Sequence, residues 1–245
     1  MFTVEQRDAL RARVLALADE DERVVAGAVV GSLALGGGDR FSDLDLTFAV
    51  ADAVPVSDVL DDWTRVLVGE QEAVRLFDLE HGPSTYRVFL LPDQLQFDLS
   101  LTPTARFRPT SPRFRLLFGE TAGDMQATAP PAPHDLFGWG VVYALHSRAS
   151  IERGRPWAAE HYVGAVRDRS LALACVRLGL PAVQARGYDD LPAETLAGFE
   201  GTHVVSLEPD ALRAALTASV RALLREGAEA ALPHAATVAE RLAGL

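Results

Sequence analysis

The sequence GSLALGGGDRFSDLDLTF, residues 31–48, contains the strongest structural signal in this chain. Asp43 and Asp45 stand two residues apart within an apolar run, so on a β-strand both carboxylates point to the same face. Leu44 and Leu46 then point to the opposite face, into a core. The pattern predicts a half-buried strand that presents a pair of acids.

Two carboxylates this close are most easily kept where a cation neutralises them, because like charges repel. Oxygen ligands on a rigid strand suit Mg²⁺, which takes one or two carboxylates and completes its shell with water and substrate phosphates. Upstream, Gly31 and Ser32 follow an apolar segment, Val24 to Val30, that reads as a buried strand. We expect the turn and short helix start there to offer backbone N–H groups to an anion. Together these features predict phosphoryl-transfer chemistry.

The spacing of these residues resembles the DNA polymerase beta-like nucleotidyltransferase superfamily, whose pattern is Gly-Ser, a spacer of similar length, and Asp-apolar-Asp. The resemblance covers residues 20–105 and is nearest to the small-molecule group that includes the antibiotic nucleotidyltransferases. The minimal nucleotidyltransferases of toxin–antitoxin pairs often have an arginine where this chain has Leu35, which weakens a resemblance to them.

The resemblance implies an α+β fold, in which a nucleotidyltransferase core with a mixed β-sheet flanked by helices precedes an all-helical C-terminal domain. It implies that Gly31, Ser32, Asp43 and Asp45 bind the nucleotide, which is ATP or another nucleoside triphosphate. It also implies two Mg²⁺ ions, held by Asp43 and Asp45 together with a third acid.

Asp98 is the preferred candidate for that third acid. The segment Gln94 to Leu101 alternates polar and apolar residues with period two, and Asp98 is the only acid on its polar face. A hairpin with a Pro-Asp turn precedes it, as the resemblance requires. Asp78 and Glu80, on an earlier strand, remain competitors. We predict that Asp43, Asp45 and Asp98 are catalytic and converge on the metal.

The proline-rich segment APPAP, residues 129–133, divides the chain. We expect a nucleotidyltransferase domain over residues 1–128 and a helical domain over residues 134–245. The segment after the Asp98 strand, which contains Arg106, Arg108, Arg113 and Arg115, reads as a loop. One of its arginines either approaches the triphosphate or lies in solvent.

Charge and composition limit the partners. The net charge is −11, and all 23 basic residues are arginines. No basic face is evident, which argues against nucleic acid as a partner. The sequence has no apolar run long enough to span a bilayer, no signal-peptide pattern and a single cysteine, so we expect a cytoplasmic enzyme without a membrane partner.

The helical region offers candidates for an acceptor pocket. Trp139, Tyr143 and His146 follow one stripe of a helix. The next helix offers Trp157, His161, Arg167 and Arg169. They either line an acceptor pocket or pack helices together. We expect an acidic cleft between the two domains that contains Trp139 or Tyr143.

The sequence favours transfer of a nucleoside monophosphate, most simply AMP from ATP, to a hydroxyl of a small molecule. An aminoglycoside or lincosamide antibiotic is one acceptor of this kind, and its modification would confer resistance. The alternatives are an antitoxin-like regulatory nucleotidyltransferase that acts on a protein partner and a non-catalytic nucleotide-binding relative.

Overall fold

The computed structural model of the chain describes residues 1–36 and 38–245, which form two compact units, Met1–Thr128 and Ala129–Leu245. The first unit contains a six-stranded sheet with the order β3-β4-β5-β2-β1-β6. Its strands are β1 (Val24–Val30), β2 (Leu44–Val50), β3 (Val74–His81), β4 (Ser84–Leu90), β5 (Gln96–Pro103) and β6 (Phe114–Phe118). Strands β2 and β5 pair in parallel and all other neighbours pair antiparallel, which confirms the predicted α+β class with a mixed sheet.

Two helices, α1 (Val4–Glu20) and α2 (Val56–Gln71), pack on one face of this sheet. Helix α1 begins at the predicted capping box, in which Thr3 and Gln6 each bond the backbone of the other. Alternate residues of β2 and β5 enter the same core, where the Phe48 ring meets the edge of Trp63 at a centroid distance of 5.1 Å. The residues between them in sequence, including the predicted acids, therefore lie on the opposite face of the sheet.

The second unit is helical. Its helices are α3 (Pro133–Glu152), α4 (Pro156–Arg177), α5 (Ala193–Ala197), α6 (Pro209–Glu229) and α7 (Ala235–Leu242). Three of them begin at a proline, which is favoured in the first turn because its missing N–H would have no helical partner there. Within residues 1–36 and 38–245, no helix combines the length and the apolar character that crossing a membrane requires.

Strand β6 was not expected from the sequence, which suggested a loop around Arg113 and Arg115. The strand has only five residues and pairs antiparallel with β1, more than eighty positions earlier. The backbone hydrogen bonds that define it as a strand come from a distant segment, β1. Its sequence FRLLF lacks the alternation that marks a half-buried strand. The tertiary pairing therefore determines this element.

Arg87 is a buried charge on the helix-covered face of the sheet, with 4% of its surface exposed. Its guanidinium donates to both oxygens of Asp78 at 2.8 Å and also reaches Asp61 and Thr64 on α2. These bonds lower the pKa of the Asp78 carboxyl, although partial burial opposes them. Asp78 thus has a structural partner that fastens the edge strand β3 to the sheet and to α2.

We expect Asp78→Asn to reduce the free energy of unfolding by about 1.5–3 kcal/mol at neutral pH, the range for a hydrogen bond to a charged group. Because folding lowers the pKa of Asp78, its contribution is present above the ordinary carboxyl pKa of about 3.9 and is lost as the pH falls through the folded-state pKa. Denaturant unfolding over an acidic pH series measures the difference.

The matched control for this change is Asp124→Asn, which removes an exposed carboxyl and should cost little at any pH. A difference between wild type and Asp78→Asn that persisted unchanged at the acidic end of the series would contradict the ion-pair interpretation.

Candidate metal and nucleotide site

The structure brings together the side chains of Asp43, Asp45 and Asp98. One oxygen of each carboxylate lies within 4.8 Å of an oxygen of each of the others, and all three side chains are half-buried. Asp45 on β2 is the direct register partner of Asp98 on the parallel strand β5, so the pleat points both to the same face. Asp43 lies one residue before β2 begins, rather than within the strand as the sequence suggested.

The three acids form a strongly negative site. Burial raises the pKa of Asp98, and the charge of Asp43 raises it further. Hydrogen bonds from the amide of Gln96, at 3.0 and 3.2 Å, partly oppose this rise. A bound cation would remove the repulsion that Asp43 and Asp98 otherwise experience.

The donor set fits the implied Mg²⁺. It consists of carboxylate oxygens from two adjacent strands, without the sulfur or imidazole that would favour other metals. The competing acids, Asp78 and Glu80, do not join the cluster. Asp78 is paired with Arg87 on the helix-covered face, and Glu80 accepts a hydrogen bond from the Thr85 hydroxyl.

The turn at Gly31 lies directly against Asp45, one of the three clustered acids. Gly31 adopts a left-handed φ of 69°, which favours glycine, and opens a five-residue 3-10 helix, Gly31–Leu35. A Cβ atom at Gly31 would overlap the Asp45 carboxylate. The backbone of the turn can therefore approach Asp45 only because residue 31 has no side chain.

The polar groups of this turn differ from the expectation. The Gly31 N–H is not turned to an anion, because it donates to the Arg113 carbonyl at 3.2 Å. In the part of the chain that the structure describes, the Ser32 hydroxyl oxygen is buried and has no hydrogen-bond partner. A buried hydroxyl without a partner is costly, and a phosphate oxygen could satisfy it.

Strand β6 places arginines beside the same turn. The Arg113 carbonyl accepts the Gly31 N–H, and the Arg115 Nε donates to the Ala34 carbonyl at 3.2 Å. The segment predicted as a loop is thus tied to the Gly-Ser turn. Contact of either guanidinium with a triphosphate stays a prediction.

Tyr86 is a residue of this site that the sequence analysis did not select. It pairs with Ser100 across β4 and β5, on the face of the sheet that also presents Asp98. Burial raises the pKa of the Tyr86 phenol, and the nearby charges of Asp45 and Asp98 add to the rise. The hairpin register, counted back from Asp98, is the sequence signal that could have found it.

We expect Gly31→Ala to lower the rate of any reaction that depends on the three acids by about 10²-fold, because a displacement of about 1 Å costs that much. The added methyl group must push the turn or Asp45 out of place. Gly36→Ala is the matched control, since Gly36 has a similar φ of 72° but open space around a Cβ.

Both variants should lose about 1–2 kcal/mol of unfolding free energy from the left-handed backbone, whereas only Gly31→Ala should lose activity. Thermal unfolding and steady-state kinetics on the two variants measure these quantities. Equal activity of the two variants would argue against the close approach of the turn to Asp45.

In the helical unit, the predicted aromatic stripe forms a cluster. Trp139 and Tyr143 have ring centroids 5.5 Å apart, and Tyr143 and His146 each contact the ring of Tyr162 on α4. Trp139 remains 53% exposed. The cluster packs α3 against α4, and a role of Trp139 or Tyr143 in an acceptor cleft stays a prediction.

No protein-family model matches the chain, and no curated protein matches it in sequence. Among solved structures it is similar to the crystal structure of an aminoglycoside 6-adenyltransferase from Bacillus subtilis, with 13% sequence identity and a TM-score of 0.36. That similarity covers 94% of this chain and 89% of the other. At this TM-score the function has to be argued from the site itself.

Proposed function

We propose that this protein is a Mg²⁺-dependent nucleotidyltransferase that transfers a nucleoside monophosphate, in the simplest case AMP from ATP, to a hydroxyl of a small molecule. The observation that carries the proposal is the cluster of Asp43, Asp45 and Asp98, built on two parallel strands next to a glycine turn. This combination of carboxylates and a close backbone approach suits a metal-bound triphosphate.

In this proposal Asp43 and Asp45 hold the metal that binds the triphosphate, and Asp98 shares a second ion or receives a proton. When bound, Mg²⁺ neutralises negative charge on the phosphates. Gly31 and Ser32 bind the nucleotide. The glycine lets the chain pass close to Asp45. The Ser32 hydroxyl, which has no hydrogen-bond partner among the residues that the structure describes, is available to a phosphate oxygen.

The reaction would proceed by attack of the acceptor oxygen on the α-phosphorus. A new oxygen–phosphorus bond forms, the bond to the leaving pyrophosphate breaks, and the acceptor's proton passes to the Asp98 carboxylate. If Asp98 does not bind the second ion, its burial, which raises the pKa of the carboxyl, favours acceptance of this proton. Positioning and charge neutralisation supply most of the acceleration in reactions of this class.

The acceptor class is proposed from the resemblance in sequence and from charge. Antibiotic nucleotidyltransferases act on small molecules with hydroxyl groups, and the net charge of −11 would attract a cationic acceptor such as an aminoglycoside. The same charge disfavours nucleic acid as a partner.

The test is to incubate the full chain with Mg²⁺, each common nucleoside triphosphate labelled at the α-phosphate, and a panel of aminoglycosides and lincosamides. We expect pyrophosphate release that depends on the acceptor, with the label appearing in the acceptor and both signals lost on chelation of the metal. Label transferred only to a co-purifying protein would assign the chain to the regulatory class. Nucleotide binding without any transfer would assign it to the non-catalytic class.

A further inference from the structure

The helical unit contains a cavity of about 1080 Å³ whose lining lies wholly within residues 129–245. This volume is at the upper end of that found for small-molecule sites. Much of its lining is apolar, including Leu136, Leu171, Ala172 and Phe199. The cavity can therefore enclose the body of an apolar or aromatic ligand.

Arg167 lines this cavity with its side chain only 24% exposed. Its guanidinium has weak partners: it lies 3.4 Å from Nδ1 of His203 and 3.5 Å from Oδ1 of Asp168. Both distances are at the limit of hydrogen bonding. An arginine whose side chain is this little exposed and whose partners are this weak gains free energy when another acceptor completes its hydrogen bonds.

Arg169 is a second, half-buried arginine of the same lining. Its guanidinium carbon lies 6.0 Å from the centroid of the Tyr143 ring. Within residues 1–36 and 38–245 it makes no hydrogen bond or ion pair. Its donors are therefore available to a ligand.

The cavity also contains three carboxylates, those of Asp168, Asp189 and Glu200. All three residues are exposed, so water screens their charges more than those of the arginines. The arginines, whose charges water screens less, therefore lie beside the apolar lining. An anionic group would gain most from this arrangement.

One wall of the cavity is held in an uncommon backbone conformation. Gln184 and Ala185 are consecutive non-glycine residues with φ of 57° and 58°. The Tyr188 hydroxyl fastens this segment to α4 by donating to the Asp168 carbonyl at 2.8 Å. Strained backbone of this kind is often kept at ligand sites.

We infer that this cavity is a binding site for an amphipathic organic anion, with a ring-containing body among the apolar residues and a carboxylate or phosphate on Arg167 and Arg169. A guanidinium matches both anionic groups because it can donate two parallel hydrogen bonds. A polycationic aminoglycoside does not suit these arginines. The inference does not rest on the proposed transfer reaction, because no residue of the acidic cluster takes part.

The test uses calorimetric titration of the full chain with ligands that share one ring system and differ in charge. Naphthylacetate and naphthyl phosphate provide the two anionic groups, naphthylacetamide is neutral, and naphthylethylamine is cationic. We expect the better anion to bind at least about tenfold more tightly than the amide or the amine, which is the effect of a hydrogen bond to a charged group. The two anions distinguish a carboxylate ligand from a phosphate ligand.

Variants then test the assignment to the two arginines. Arg167→Gln and Arg169→Gln should each weaken anion binding about tenfold, while binding of the amide stays unchanged. Arg148→Gln is the matched control, since Arg148 is an exposed arginine of α3 outside the lining.

Anion binding that is no tighter than amide or amine binding, or absence of binding throughout the series, would overturn the inference. The wild-type series decides this even if a variant does not fold. Binding that survived in both arginine variants would also overturn it.

Discussion

Replacement of Asp43 or Asp45 by asparagine should lower nucleotidyl transfer at least about 10³-fold. Each change removes a negative oxygen ligand from the cluster of three carboxylates. A metal ion supplies several kcal/mol of transition-state stabilisation, and every ~1.36 kcal/mol corresponds to a factor of ten in rate. Steady-state measurement of labelled nucleotide transfer gives the size of the loss.

The fold should survive this change. The charge of Asp43 raises the pKa of Asp98, so Asp43→Asn relieves repulsion in the metal-free protein and should leave its thermal stability equal or higher. Asp8→Asn is the matched control, because Asp8 is an exposed acid on α1 and its loss should affect neither activity nor stability. An Asp43 or Asp45 variant with near wild-type turnover in Mg²⁺ would show the mechanism to be wrong.

Asp98→Asn should reduce the turnover number by at least about 10²-fold, the lower end for a positioned acid or base. The kinetic effect expected for Asp98→Asn differs in kind from that expected for the Asp43 and Asp45 variants. If Asp98 receives the acceptor's proton, the affinity for the nucleotide should change little while turnover falls. Removing Asp45, in contrast, should weaken nucleotide binding as well.

Separate measurement of the nucleotide dissociation constant and of turnover distinguishes these roles. Gln96→Ala provides a graded comparison, because it removes the hydrogen bonds to Asp98 but keeps the carboxylate. We expect it to cost far less than Asp98→Asn. A variant with asparagine at position 98 that lost affinity and kept turnover would make Asp98 a nucleotide-binding residue only.

The sequence predicted best those features of the fold and the site whose local pattern and tertiary contacts involve the same residues. Period-two alternation places Asp45 and Asp98 on polar strand faces, and the parallel pairing of β2 with β5 puts them opposite each other. The Gly-Ser pair after an apolar segment predicted the turn at Gly31. The structure gives the reason for the glycine, because only a residue without a side chain fits against Asp45. Their roles in catalysis remain predictions.

Other features depended on contacts between distant segments, which a local pattern does not encode. Strand β6 forms by pairing with β1, and the same pairing brings the Arg113 carbonyl to the Gly31 N–H. The ion pair that removes Asp78 from consideration needs Arg87, nine residues away on the next strand. The cavity around Arg167 is assembled from several helices and loops. The sequence indicated Tyr143, His161 and Arg167 as pocket candidates, but not the apolar residues that distant segments bring beside them.

The central claim is that Asp43, Asp45 and Asp98 bind the metal of a nucleoside triphosphate. Its most direct test is anomalous diffraction from crystals grown with Mn²⁺ and an ATP analogue that has a non-cleavable α,β-methylene bridge. The account predicts an anomalous peak within bonding distance of these carboxylates, with the α-phosphate beside it and the Gly31-Ser32 turn against the triphosphate. A nucleotide bound elsewhere, with no anomalous peak at the three acids, would contradict it.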